Sequence, residues 1–317
     1  MSLNTASPNL PWHDVGGFFR SLFGGKVTKI LVNTGVPCSH RVASGGCTFC
    51  SEETILPPYC LDASPVQVQI RQGIQLRSQR HSWQGYIAYF QRGTTTTASL
   101  NQLRDWLEQA RREPGILGLA IGTRPDCLPA PVLELLGEKA RALPVFVDLG
   151  LQTIHDGTLA RIRRGHSREC FDEAVRRLAA IPGLYPIAHM ILMLPGESIE
   201  DMRASFRHLA SLPLHGLKIH HLQVVRGTPM EEEFRQSRLQ LLEPAAYVSL
   251  LADVLELVPW SFVIHRLMGD QPRQELLAPL WTYQKNRLIT ALHHEFTRRG
   301  TRQGSACPDV ARPVQFP

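Results

Sequence analysis

Three of the seven cysteines in this 317-residue chain fall within one stretch, CSHRVASGGCTFC: Cys38, Cys47 and Cys50. Cys47 and Cys50 form a C-x-x-C pair, and Cys38 lies upstream across a glycine-containing loop. Thiolates at such spacing bind metal in a compartment that keeps thiols reduced. Two chemistries suit them. A structural zinc site is closed by four ligands, and His40 would supply the fourth. A [4Fe–4S] cube takes one protein ligand per iron, so three cysteines leave its fourth iron open to an outside ligand. An open site is what catalysis needs and what a structural site avoids. Phe49, beside the last cysteine, is placed to shield a cluster from solvent.

The elements that must position this loop alternate along the chain. KVTKILVN, GYIAYF, ILGLAIGT, PVFVDLGLQ, YPIAHMILML and GLKIHHLQVV read as six strands, with helical patterns between them. Ser64-Pro65 reads as a cap followed by proline at the first helical position, and Ser198 with Asp201 as a capping box. Strands alternating with helices imply βαβ units and a parallel sheet. The expected fold is therefore α/β, a partial (β/α)6 TIM-like barrel over 27–240 with N- and C-terminal extensions. An irregular lead-in occupies 1–26. A helical extension, with further helices around SFVIHRL, occupies 241–300, and 301–317 reads as a flexible tail. The cysteine loop directly follows the first strand, at the carboxyl-terminal end where barrel enzymes place their chemistry.

Side-chain alternation divides the strands into two faces. Val145, Val147, Leu149 and Leu151 share one face of the fourth strand, and Phe146, Asp148, Gly150 and Gln152 the other. A parallel strand covered by helices outside and packed inside is nearly all apolar, so Asp148 and Gln152 argue for a polar lumen. Gly118, Ala120 and Gly122 leave room on the third strand, and Lys218 and His220 share a face of the sixth. Those two are the candidate substrate contacts, with Asp148 a candidate partner for the lysine. The alternative reading is a mixed core whose polar groups pair with one another. His166, His189, His221 and His265 read as core histidines with hydrogen-bond partners.

Composition sets the outer bounds. The chain is 43% hydrophobic and 20% charged, with a net charge of +6, ordinary for a globular protein and compatible with an anionic partner. No run approaches the roughly 18 apolar residues of a membrane span. The first residues lack the pattern of a secretory signal, so a cytoplasmic location and no membrane partner are expected.

The cysteine loop and the strands after it resemble the radical S-adenosylmethionine (SAM) superfamily. The longer spacing between the first two cysteines is similar to that of the Elongator-catalytic-subunit-like group. YIAYFQ, GTRPDC, LGLQTIHDGTLARIRRGH, LPGE and GLKIHHLQVVRGT resemble its YhcC/YtqA (MnmL-type) branch, over about residues 14 to 300. The resemblance implies that Cys38, Cys47 and Cys50 hold a [4Fe–4S] cluster and that SAM chelates the open iron. An electron then cleaves SAM to methionine and a 5′-deoxyadenosyl radical, which takes hydrogen from the substrate. It places Gln91 and Thr94 near the SAM amino group, Gln152 near the ribose, Arg164 at the carboxylate, and Pro195 and Gly196 at a turn near the adenine. The substrate it implies is a modified wobble uridine side chain in tRNA, and the reductant an electron donor such as flavodoxin or ferredoxin. Two alternatives stand beside it: a radical SAM enzyme acting on a small molecule or peptide, and a non-catalytic zinc-stabilised module. Arg124 and Asp126 read as an ion pair shaping the third loop or as a substrate contact. Cys127 reads as a packed thiol or a second catalytic sulfur.

Overall fold

The computed structural model describes residues 10–51, 56–60, 64–79 and 81–307. The expected strands are present as β1 (Val27–Val32), β2 (Gly85–Phe90), β3 (Ile116–Thr123), β4 (Val145–Gln152), β5 (Leu184–Leu192) and β6 (Gly216–His221). All are parallel neighbours in chain order, so the sheet curls into a partial barrel. Two short strands, β7 (Val224–Val225) and β9 (Leu276–Ala278), pair antiparallel beyond β6. Between them in sequence lies β8 (Val263–Arg266), which joins β6 in parallel as a seventh strand of the main sheet.

β8 corrects the helical reading around SFVIHRL. Its four residues are too few to display a period, and its evidence is non-local: Val263 and Ile264 are buried, and Ile264 also bridges Asp14.

The helices are α1 (Val15–Phe23), α2 (Ser39–Ser44), α3 (Val66–Ser78), α4 (Leu100–Arg112), α5 (Ala130–Ala140) and α6 (Asp156–Arg161). They continue with α7 (Arg168–Ala179), α8 (Ile199–Ala210), α9 (Pro229–Arg235), α10 (Pro244–Glu256) and α11 (Lys285–Arg299). The Ser198–Asp201 capping box forms at α8. α3 starts one residue later than its sequence suggests, with Pro65 at the cap, and the Gln69 side chain ties back to the Ser64 carbonyl instead (2.8 Å).

Two separate apolar clusters follow from the two faces of the sheet. The outer faces, including Val145, Val147, Leu149 and Leu151, pack against the crossover helices. The inner faces meet α1, which occupies part of the segment read as an irregular lead-in. Asp14 caps this helix, accepting from Gly17 N–H (3.0 Å). Phe18 and Phe19 then insert among Ile87, Phe146, Tyr185 and Val263. The Phe19–Phe146 and Phe146–Tyr185 ring centroids lie 5.6 and 5.1 Å apart, a normal aromatic packing distance. These inner residues stand early in their strands, so α1 plugs the amino-terminal end of the barrel and leaves the carboxyl-terminal end open.

The segment after α11 is tied to the same end. The buried Gln303 side chain donates to the carbonyls of Pro259 and Phe262 and accepts from His13 N–H. Residues 301–307 are thus packed where a flexible tail was expected; residues 308–317 lie outside the described ones. No helix among the described residues is long and apolar enough to cross a membrane.

Candidate active site

The cysteine loop leaves β1 through a set of side-chain locks. Asn33 N–H donates to Gln69 Oε1, Gln69 Nε2 donates back to the Asn33 carbonyl, and Asn33 Nδ2 donates to the Cys60 carbonyl. Gly93, at φ +68°, lies so close to the loop that a Cβ there would stand 1.8 Å from the Val36 carbonyl oxygen. Only glycine lets the chain after β2 approach this closely. Farther on, Thr48 N–H donates to the Ile162 carbonyl and Met230 N–H to the Thr48 carbonyl. The C-x-x-C turn is therefore held by β2, α6 and α9 together.

Cys38 precedes α2, Cys47 is buried, and Arg41 donates to the Cys50 carbonyl. Desolvation raises the Cys50 thiol; Arg41 opposes this, while the neighbouring Cys47 and Cys38 raise it further. Three thiolates this near one another require positive charge among them, which a metal centre provides.

His40, the candidate fourth zinc ligand, is hydrogen-bonded elsewhere. Its Nε2 donates to the Arg163 carbonyl (2.6 Å) and its Nδ1 faces Ser44 Oγ (2.9 Å), so both ring nitrogens are engaged. Among the described residues no three His, Cys, Asp or Glu side chains converge on a point that would hold one metal ion. A cube does not need them to, because each cysteine binds a different iron.

Opposite the loop stands Arg164, which is buried. Its Nε and Nη2 donate to the Gly150 carbonyl (3.2 and 2.7 Å), and its Nη1 points at Cys47 Sγ (3.6 Å). A Cβ at Gly150 would fall 2.4 Å from Arg164 Nη2, so a side chain there would displace the guanidinium from its present place. Arg124 resolves in favour of the ion pair: it grips Asp126 with two bonds of 2.9 and 2.8 Å and donates to the Arg164 carbonyl. It positions Arg164. Cys127 faces Ser39 Oγ (3.5 Å) and lines a separate open cleft with Cys170.

The remaining expected cofactor contacts ring the same mouth. Gln152 ends β4 with φ +81°, an uncommon conformation for a side-chain-bearing residue, and its Oε1 is buried without a hydrogen bond. Thr94 Oγ1 is likewise buried and unpaired. Gln91 is exposed just past β2. Pro195 is buried and Gly196 makes the turn after β5 at φ +88°. Glu197 accepts from Thr153 Oγ1 (2.5 Å), linking the β5 loop to the end of β4. Arg163 and Met193 also have positive φ. Such strain persists where the surroundings enforce it, and here it clusters at the strand ends.

Below the mouth the lumen is polar, as the alternation implied. Lys218 Nζ donates to Asp148 Oδ2 and to Tyr89 Oη (2.7 Å). Burial works against the charge on Asp148, but the Lys218 and Lys29 cations hold its carboxyl well below the usual range. Burial brings the Lys218 ammonium down to about 7, with Asp148 opposing and Lys29 adding to the fall. His220 does not join this pair. Its ring meets His189 edge-on, with centroids 4.2 Å apart, and both Nε2 atoms lack a hydrogen bond. Burial keeps both rings neutral, bringing His189 down to about 3. His221 points outward to Thr282 Oγ1 (2.7 Å) and is structural.

Sequence reasoning missed Tyr89, Lys29 and Arg266 in the lumen. Lys29 Nζ lies 4.6 Å from the centre of the Tyr89 ring. The signal available was alternation: Lys29 sits between Val27 and Leu31 on one face of KVTKILVN, and Tyr89 follows Ile87 in GYIAYF.

The chain is similar to known proteins. The model of the Radical SAM superfamily matches residues 33–209, and that of the Radical_SAM C-terminal domain matches 214–298. The chain is 34% identical to YtqA of Bacillus subtilis (strain 168) over 299 residues, 92% of each chain. It is 33% identical to YhcC of Escherichia coli (strain K12) over 295 residues, 92% of this chain and 94% of that one. The fold is similar to that of the archaeal Methanocaldococcus infernus Elp3 with an N-terminal deletion, with TM-score 0.65 and 18% identity over 89% of this chain and 64% of that one. The chain therefore belongs to the radical SAM superfamily, whose cofactors are a [4Fe–4S] cluster and S-adenosylmethionine.

Proposed function

We propose that this protein is a radical SAM enzyme acting on a modified wobble uridine side chain in tRNA, with Cys38, Cys47 and Cys50 as the cluster ligands. The observation that carries the enzymatic reading is a pair of buried, unsatisfied polar atoms near the cysteine loop. Thr94 Oγ1 and Gln152 Oε1 are buried without partners, and Arg164 spans Cys47 and Gly150 between them. Buried polar groups are normally paired, so these await a polar ligand. Bound together, the cluster and SAM supply a one-electron cleavage that yields a 5′-deoxyadenosyl radical for hydrogen abstraction.

The chain's own residues position and insulate that chemistry. Arg164, which points at Cys47 Sγ, would hold that side of a cluster and offer a planar guanidinium to a carboxylate. Gln152 and Thr94 present an amide and a hydroxyl, and Pro195 with Gly196 shapes the turn beside them. The aromatic plug of α1 closes the far end of the lumen, which keeps water from a reactive radical. A one-electron donor of the flavodoxin or ferredoxin type would supply the electron.

Arg164→Ala is expected to weaken SAM binding by about 10- to 150-fold, the worth of one charge-assisted contact, while iron content stays near that of the parent. Equilibrium dialysis with labelled SAM checks this; unchanged affinity would remove Arg164 from the pocket.

The tRNA reading rests on the resemblance to the Elongator-catalytic-subunit-like group and on charge. The chain carries +6, and Arg92 and Arg163 are exposed at the strand-end rim. A base in a folded RNA must be extruded to reach a lumen. Binding to tRNA should then fall roughly tenfold or more between 50 and 200 mM salt, as phosphate contacts release counterions. Filter binding across a salt series measures it, and a flat response would count against an RNA substrate.

A further inference from the structure

The barrel is open between its two edge strands, β1 and β8. Each edge sends one cation into the lumen: Lys29 from β1 and Arg266 from β8, both half-buried. Lys29 and Lys218 stand at equal distances from the Tyr89 ring, 4.6 Å to its centre in each case. The two lysines differ in one respect. Lys218 has Asp148, whereas among the described residues no carboxylate lies within ion-pair distance of Lys29 or Arg266.

Lys29 and Arg266 are close enough to repel. Burial lowers the Lys29 ammonium, Asp148 opposes this, and Arg266 lowers it further. Arg266 is the register partner of Lys218 across β6 and β8, after a bulge, which sets it beside the inward-facing lysine, and its charge adds to the lowering of Lys218, His189 and His220. Lys29, Lys218 and Arg266 thus share one acid, Asp148, and the lumen histidines are neutral. Positive charge in excess within a partly closed cavity is unfavourable unless an anion joins it. The aromatic plug lies on one side of these cations and the cysteine loop on the other, so they face the lumen and the seam between the edge strands.

We propose that Lys29 and Arg266 form an anion-binding site across the open seam of the barrel, taking a carboxylate or phosphate group of the substrate. This deepens the enzymatic reading above, on which the word substrate rests. The site itself needs neither turnover nor RNA to be detected.

The test uses full-length protein reconstituted anaerobically with its cluster. Inorganic phosphate and acetate replace chloride at fixed ionic strength, and the thermal midpoint is followed. Both anions are expected to raise the midpoint of the parent protein. Lys29→Met and Arg266→Met should each weaken the apparent anion affinity by about 10- to 150-fold, and Lys29→Arg should retain it. Without added anion Arg266→Met should melt higher than the parent, because it removes a charge with no carboxylate within ion-pair distance among the described residues. SAM affinity, measured by equilibrium dialysis, should stay within about twofold, since no contact to SAM is lost. An anion response equal in parent and methionine variants overturns the proposal, as does a lower anion-free midpoint in Arg266→Met. A parallel loss of SAM affinity also overturns it, by assigning the cations to the cofactor's own carboxylate. Failure of tRNA binding or of nucleoside change bears on the RNA reading and leaves this site standing.

Discussion

Alanine at Cys38, Cys47 or Cys50 is expected to lower bound iron from about four per chain to well below one and to abolish SAM cleavage. The loss should be complete at each position, because a cube anchored at two corners has no fixed open iron to offer SAM. Anaerobic reconstitution followed by iron and sulfide analysis, with 5′-deoxyadenosine quantified from the same samples, measures both effects. His40→Ala provides the contrast. Its ring binds the Arg163 carbonyl and Ser44 and leaves no nitrogen for a metal, so iron content should survive. Stoichiometric zinc in the parent protein, released by His40→Ala, would contradict the account.

Asp148→Asn should cost about 3–5 kcal/mol of stability at pH 6, the range seen when one partner of a buried pair is removed. Its neighbours explain the size: Lys218 and Lys29 are the two cations that hold its carboxylate ionised. Lys218→Met should cost much less, because Lys29 remains to serve Asp148. The cost of Asp148→Asn should also depend on pH. The unfolded Lys218 keeps its proton to about 10.5, whereas the folded one releases it at about 7. Between these values the unfolded state binds more protons, so the parent gains stability as pH rises. Without Asp148 the folded lysine releases its proton lower still, and the charged cations no longer need the lost acid at high pH. The penalty should therefore be largest below the variant's lowered lysine pKa, shrink as pH rises to about 7, and stay constant above it. Urea unfolding of the metal-free protein at several pH values checks it; equal costs for the two substitutions, or a penalty independent of pH, would contradict the pairing.

What the sequence disclosed was local. The three cysteines declare themselves by spacing, and the inward direction of Asp148, Gln152, Lys218 and His220 follows from a period of two. The bond between Lys218 and Asp148 was anticipated because a buried lysine needs an acid and one strand offered it. What stayed hidden depended on distant partners. β8 is four residues long and becomes a strand through β6 and Asp14. α1 was read as irregular because its two buried phenylalanines find their cavity in strands far along the chain, β2, β4, β5 and β8. His40 lost its role as a ligand to a backbone carbonyl 123 positions distant. Lys29 passed unnoticed within an apolar strand, where its charge had no visible counterpart.

The central claim is that this cysteine loop drives radical chemistry on tRNA, and one comparison addresses it most directly. Nucleosides of total tRNA are analysed by mass spectrometry from cells lacking the protein, complemented either with the parent chain or with Cys47→Ala. The account predicts that a wobble uridine derivative accumulates unprocessed without the protein, is processed again with the parent, and stays unprocessed with Cys47→Ala. Identical nucleoside profiles in all three strains would contradict it.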